Sequence, residues 1–328
     1  MSPLPPYASP ATPRDLLVWE HAAANLRAGV PVALLCVLAS EGSSPGRQGF
    51  KMSVTANDTT GSIGGGVMEH KFVELARARL LEADTRPLFR PQIHRKDSPA
   101  DRSGMICSGE QWVLLFPLAL SDLPAVEACV KALTENTRPL LQLATTGLAV
   151  LPAPQGAPKF DFQPGEQWQY QERLGFAARV TIIGAGHVCL ALCRVLAALD
   201  FELTVLDDRP TLPTLRANPF PHHKRTVAYD AIAAEIPEGP DEYVLLMTVG
   251  YRSDLVVLRQ LLGHSVRYLG VLGSQAKITE LLNTLRHEGA SEELLARISA
   301  PIGLPIHSRT PEEIAISIAA ELIQVRNA

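Results

Sequence analysis

Three groups of residues in this 328-residue sequence combine types and spacings that can do chemistry. The first is Gly184–Ala185–Gly186–His187–Val188–Cys189, placed directly after the apolar run Arg179–Val180–Thr181–Ile182–Ile183. Gly184 permits a tight turn out of a strand, and Gly186 lets the backbone approach a diphosphate with no Cβ in the way. Amides at a helix start face an anion and carry the positive end of the helix dipole. Asp207 follows Gly184 by 23 residues, where an acid at the tip of the next strand reaches a ribose hydroxyl. Cys189 stands at the third glycine position of this fingerprint, which accepts small side chains. His187 either contacts a phosphate or caps the helix. The second group is a pair of glycine-rich loops. Ser43–Ser44–Pro45–Gly46–Arg47 offers hydroxyls, amides and one guanidinium, a set that fits an anionic oxygen group. Gly64–Gly65–Gly66 precedes a helix and reads as a second anion nest. Tight connections beside a sheet are the plainer reading of both loops, although three consecutive glycines are costly in chain entropy. Glu69, on that helix's first turn, is stabilised by the dipole, with proton handling as the alternative. The third group, Thr248, Gly273, Ser274 and Lys277, follows later strands at the ends that face the ligand crevice of an open α/β sheet.

The elements that must hold these residues follow from periodicity. Asp15 to Ala28 reads as an amphipathic helix and Val32 to Leu38 as a buried strand. Lys51 to Val54 is a strand, Asn57 to Thr60 a turn, and Val67 to about Glu82 a helix. Trp112 to Leu118 is a strand, Leu123 to Leu133 a helix, and Leu140 to Leu151 holds strands. Prolines and glycines crowd residues 152–165, so 152–178 reads as a linker, with 166–175 polar and hard to assign. From Arg179 the pattern is strand, glycine turn, helix, strand, acid. Tyr243 to Val249 and Tyr268 to Leu272 continue as strands, with helices from Ser253 and from Lys277. His222–His223–Lys224–Arg225 reads as a solvated basic loop. The expected fold is α/β: a C-terminal Rossmann-type, doubly wound parallel sheet (179–328), a smaller N-terminal α/β domain (14–151), and a mobile arm at 1–13.

Composition narrows the function class. Apolar residues make up 46% of the chain and charged residues 20%, a globular balance. A net charge of -4 and 5% aromatics argue against nucleic-acid binding. The first residues are proline-rich without a basic start or apolar stretch, and the longest apolar runs are strand-length, so no targeting segment and no membrane span is expected. Five cysteines without framework spacing suggest reduced thiols and a cytoplasmic protein. Neither an HxxE-type metal set nor a Ser/His/Asp arrangement stands out.

Several blocks in one order resemble the XdhC/CoxI family, the xanthine dehydrogenase accessory proteins. In the first half these are Glu41–Gly42–Ser43–Ser44–Pro45–Gly46–Arg47 with Lys51–Met52, and Gly61–Ser62–Ile63–Gly64–Gly65–Gly66 with Glu69. In the second half they are Ile183 to Val188, Asp207–Asp208–Arg209–Pro210, Gly270–Val271–Leu272–Gly273–Ser274 with Lys277, Pro301 to Ile306, and Arg309 to Glu321. Only about residues 85–178 match loosely. Two positions depart from the family's habit: Cys107–Ser108–Gly109 replaces Cys-Gly-Gly, and Thr248–Val249 replaces Thr-His.

The resemblance implies a maturation factor without turnover of its own. Such a protein binds the molybdenum cofactor (Mo-molybdopterin), supports exchange of an oxo for a sulfido ligand, and helps load a xanthine dehydrogenase-type molybdoenzyme. A cysteine desulfurase is the implied sulfur source, and members look like homodimers. The cofactor-holding set would be Ser43, Ser44, Gly46, Arg47, Lys51, Gly64, Gly65, Gly66 and Glu69, with Gly184, Gly186, His187, Asp207, Thr248, Gly273, Ser274 and Lys277. His187 would then lie at a phosphate or a pterin edge. Cys107, a soft thiolate, would ligate molybdenum or carry sulfur, unless it is a small buried hydrophobe. Cys189 and Cys193 share a helix face and are expected to pack, as is Cys36. The Rossmann turn with Asp207 also fits NAD(P), as in an oxidoreductase or a nucleotide-sensing regulator, yet no hydride-transfer acid or base is evident in the second half.

Overall fold

The computed structural model describes residues 10–42, 44–94, 109–154 and 156–328. The chain forms two compact units, Thr12–Gly175 and Phe176–Ala328, the second also taking in Ala11.

The first unit runs α1 (Leu16–Arg27), β1 (Val32–Gly42), β2 (Lys51–Val54), β3 (Thr59–Gly61), α2 (Gly66–Leu81), β4 (Leu88–His94), β5 (Gly109–Leu118), α3 (Leu123–Thr134), β6 (Leu140–Ala144), β7 (Gly147–Leu151), β8 (Phe160–Gln163) and β9 (Gln169–Arg173). An antiparallel sheet of order β3-β2-β1-β5-β4 stands beside a four-stranded sheet of order β7-β6-β9-β8. Central β1 explains its own apolar run. Val32, Leu34, Cys36 and Leu38 enter a core with Trp19 and Ala22 of α1, Val126 and Cys129 of α3, and Leu141, Leu143 and Tyr170 of the second sheet. The alternate residues Ala33, Leu35 and Val37 enter another core with Phe72, Val73 and Ala76 of α2. Both faces are covered, so alternation along the strand gives way to continuous hydrophobicity.

The segment 152–178, expected as a linker, departs from that reading. Residues 160–163 and 169–173 are β8 and β9, and β9 pairs with β6 from Leu140↔Arg173 to Ala144↔Gln169. Tyr170 and Trp168 are buried. The prolines and glycines of this stretch shape the turns around two short strands, and the unit boundary falls later, at Gly175.

The second unit runs β10 (Ala178–Ile183), α4 (His187–Leu196), β11 (Phe201–Asp207), α5 (Pro213–Arg216), β12 (His223–Thr226), β13 (Gly239–Leu246), α6 (Tyr251–Leu261), β14 (Val266–Val271), α7 (Gln275–His287), α8 (Glu292–Ala296), β15 (Ile298–Ser299) and α9 (Pro311–Asn327). Its sheet is parallel, of order β12-β11-β10-β13-β14-β15. This is the Rossmann order, with the direction of winding reversing between β10 and β13. One core lies under α4 and α9, another under α6 and α7. The basic stretch 222–225 is largely solvated, as expected, but it is not a loop. Residues 223–226 form edge strand β12, while His222 accepts the Leu203 amide at Nδ1 (2.9 Å) and donates from Nε2 to the Ala11 carbonyl (2.8 Å). That contact also ties down the end of the expected arm. Its residues 1–9 lie outside the described residues.

Candidate functional site

In the first unit the two glycine-rich loops cross backbone to backbone. A Cβ on Gly46 would lie 2.1 Å from the Ile63 carbonyl oxygen, and one on Gly64 would lie 2.4 Å from the Gly46 nitrogen. The Gly46 amide donates to Gln111 Oε1 (2.9 Å), and the Ser44 hydroxyl donates to the Gly46 carbonyl (2.9 Å). Ser44 is buried, and exposed Arg47 donates to the Gly42 carbonyl. The anion nest is filled by the chain itself. Glu69 Oε2 accepts from the Ser62 hydroxyl (2.6 Å), the Ile63 amide (2.8 Å) and the Gly65 amide (3.0 Å). Partial burial would raise this carboxyl, but those hydrogen bonds hold it below the ordinary range. Gly65 and Gly66 have open space where a Cβ would be. Ser43 lies outside the described residues.

Lys51, which the resemblance puts in the cofactor-holding set, points inward. Its ammonium donates to Asp15 (2.7 Å), Glu172 (2.5 Å) and the Gly49 carbonyl (2.9 Å), so its three donors are spent. Tyr170 donates to the same Glu172 oxygen (2.9 Å). Burial would lower the lysine, yet the two carboxylates drive it up.

In the second unit the turn after β10 has the geometry of an anion site. Gly184 adopts φ +106°, and a Cβ there would strike the Met247 carbonyl oxygen at 2.4 Å. Gly186 is the N-cap of α4, with nothing within 4 Å of its Cβ position. His187 is exposed at the helix start. Asp207 is wholly buried and doubly engaged at both oxygens. Oδ1 accepts the Arg209 amide (2.9 Å) and Nε (2.8 Å), and Oδ2 accepts the Ala185 amide (2.7 Å) and the Arg209 guanidinium (2.7 Å). Burial opposes its charge, and Arg209 outweighs it, leaving the carboxyl low. An acid so held braces the turn and has little left for a ribose hydroxyl.

The rim residues fall into two roles. Ser274 caps α7, accepting the Lys277 amide (3.3 Å), so that helix opens at Gln275 rather than at Lys277. Thr248 and Lys277 meet through Asp254, which is buried in the first turn of α6. Thr248 Oγ1 donates to Asp254 Oδ1 (2.5 Å), and the Lys277 ammonium pairs with Oδ2 and donates to the Leu272 carbonyl (3.0 Å). A Cβ on Gly273 would lie 3.0 Å from Lys277 Cδ, so glycine is what lets the lysine stem fold back over the end of β14. Burial pushes the Asp254 carboxyl up, and Lys277 and Thr248 oppose that. Asp254 and Arg209 are absent from the residues expected to form the site. Arg209 stands two positions after the acid it holds, a readable signal. Asp254 has none for its charge, since the lysine that pairs with it is 23 positions away on another helix.

Cys107 lies outside the described residues. Cys36 is buried, and burial pushes its thiol up to about 12. Cys189 and Cys193 are buried with sulfurs 3.9 Å apart, packed under the sheet. Among the described residues, no group of three or more His, Cys, Asp or Glu is gathered to hold a metal, and no helix is long and apolar enough to cross a membrane.

Comparisons with known proteins agree with this architecture. Residues 180–322 match the model of the XdhC Rossmann domain, and residues 25–90 match that of the XdhC and CoxI family. The chain is 28% identical over 312 residues to the Escherichia coli K12 protein YqeB, covering 94% of this chain. It is also 28% identical over 155 residues, 47% of this chain, to a Bacillus subtilis protein described as a probable xanthine dehydrogenase subunit. The aligned parts span just under half of either relative, 46% and 45%. A crystal structure described as a xanthine dehydrogenase from Bacillus halodurans superimposes with a TM-score of 0.70 at 25% identity, over 95% of this chain and 96% of that one. With both halves matched by models of one family and nearly the whole fold shared, the chain belongs to the XdhC and CoxI family.

Proposed function

We propose that this protein is an accessory factor for a xanthine dehydrogenase-type molybdoenzyme: it binds the molybdenum cofactor as cargo, supports its sulfuration and delivers it. Family membership supports the accessory role. The observation that carries the ligand class is the state of the Rossmann turn. The space at Gly186 and the amides opening α4 suit a phosphate, while Asp207 is closed by Arg209 and the Ala185 amide. A terminal phosphate without a ribose diol, such as the pterin carries, fits better than a dinucleotide. In this reading Gly184, Gly186 and the amides after them hold the phosphate, and Gly184 keeps the turn tight against β13. The loops at Gly46 and Gly64 set the first unit's surface beside α2. Cys107 is the thiolate for molybdenum or transient sulfur, and a cysteine desulfurase and a second copy of the chain are the further partners.

The test is a loading assay. Cofactor-free molybdoenzyme is mixed with this protein pre-charged with molybdenum cofactor, against free cofactor at equal concentration. The account expects faster recovery of activity with the charged protein, and recovery lowered in Cys107→Ala while cofactor binding or sulfuration declines. Equal recovery with free cofactor would remove the delivery role.

A further inference from the structure

The cluster Thr248–Asp254–Lys277 is not used by the phosphate turn, and its position is informative. Met247 donates its amide to the Ile183 carbonyl (2.7 Å), and the Thr248 nitrogen lies 2.8 Å from the place a Gly184 Cβ would occupy. The Leu272 amide bonds the Leu246 carbonyl (2.8 Å). The ends of β10, β13 and β14 are therefore adjacent: Thr248 stands where the winding reverses, the place at which open α/β sheets take ligands, and Lys277, tied to it through Asp254, stands one strand further along at the end of β14.

The pair also has a structure that stability alone does not require. Asp254 is wholly buried, and its desolvation offsets much of what the ion pair returns. Apolar residues of similar volume would staple α6 to α7 as well. What the carboxylate adds is placement. Lysine is a flexible stem with a point charge. Here the stem is folded over Gly273, two of its three donors are fixed by Asp254 and the Leu272 carbonyl, and the side chain stays 23% exposed. One N–H remains for a ligand.

We infer that Lys277 is the charged contact to the phosphate held at the Gly184–Gly186 turn, and that Asp254, anchored by Thr248, is the positioning residue that presents it. Because Asp254 neutralises the lysine behind it, the contact acts at hydrogen-bond range rather than as a long-range field. The inference deepens the proposed function, on which its choice of cargo rests, but its phosphate chemistry is independent of that choice.

The experiment titrates the full chain and its variants with the molybdenum cofactor, with ADP as a second phosphate-bearing probe and adenosine as the phosphate-free counterpart. Lys277→Gln is expected to weaken the phosphate-bearing probe that the unaltered protein binds by about tenfold or more, as loss of a charge-assisted hydrogen bond does, and to leave adenosine unchanged. Asp254→Asn, which keeps the ammonium but frees it, is expected to weaken the same probe several-fold. If Lys277→Gln does not fold, the double variant Lys277→Met/Asp254→Leu replaces the pair by apolar contact and is expected to show the same tenfold loss. Cofactor binding that is identical in the Lys277 variants overturns the inference and leaves the proposed function standing. ADP binding that depends on Lys277, without cofactor binding, keeps the inference and overturns the proposed cargo. Equal losses for ADP and adenosine would make the pair structural only, stronger binding by Asp254→Asn would remove its positioning role, and binding of neither phosphate probe overturns both readings.

Discussion

At the scale of single residues, the sharpest contrast is between two lysines that both follow a glycine-bearing block. Lys51 is enclosed by Asp15 and Glu172, whereas Lys277 is pinned over the C-terminal end of β14 with a donor to spare. Removing Lys51 strands two buried carboxylates, so Lys51→Ala is expected to cost about 3–5 kcal/mol, read from the denaturant midpoint at constant m-value. A change below about 0.5 kcal/mol would make the cluster superfluous. The pH dependence has a definite sign. Burial raises Asp15, but Lys51 outweighs it and leaves the folded-state carboxyl depressed. Its contribution is therefore fully present above the ordinary carboxylate range of about 4 and is lost as pH falls through the lower folded value. The unaltered protein should lose stability on acidification below about pH 4 more steeply than a variant in which Asp15 and Lys51 are both replaced by apolar residues. Parallel curves would contradict this.

At the scale of elements, the junction of β10 and α4 separates folding from binding in two glycines. At Gly184 both the positive φ and the Met247 carbonyl forbid a side chain, so Gly184→Ala is expected to cost on the order of 2–3 kcal/mol. At Gly186 nothing is close, so Gly186→Val should change stability by no more than about 1 kcal/mol while blocking the phosphate. Thermal unfolding beside a ligand titration checks both. Unchanged affinity in Gly186→Val would mean that the turn binds nothing. The same junction shows what a sequence makes legible. Arg179 to Ile183, the glycine turn and the strand ending at Asp207 are contiguous and locally patterned, so their type and order could be read directly. β9 could not. Its Gln169, Gln171 and Arg173 look solvated, and Glu172 is buried against the counter-charge of Lys51, far away in sequence. Asp254 was hidden for the same reason, since the lysine that pairs with it lies on another helix.

At the scale of the whole molecule, the chain pairs a unit whose glycine loops are closed on themselves with one whose glycine turn is open. Glu69 occupies the first unit's nest, and Gly46 and Gly64 fill each other's space, so those glycines have a packing duty that the sequence could not distinguish from a ligand cradle. In the second unit the sheet order, the open Gly186 and the rim at Thr248 and Lys277 support the proposed phosphate site, and in that proposal the brace on Asp207 disfavours nucleotides carrying a ribose diol. The most direct test of that claim is an anaerobic titration of the purified protein with molybdenum cofactor, run beside NADH. The account predicts tight cofactor binding that Gly186→Val abolishes, with NADH weak or independent of it. NADH binding at the turn with no affinity for the cofactor would contradict it and return the protein to a dehydrogenase or sensor reading.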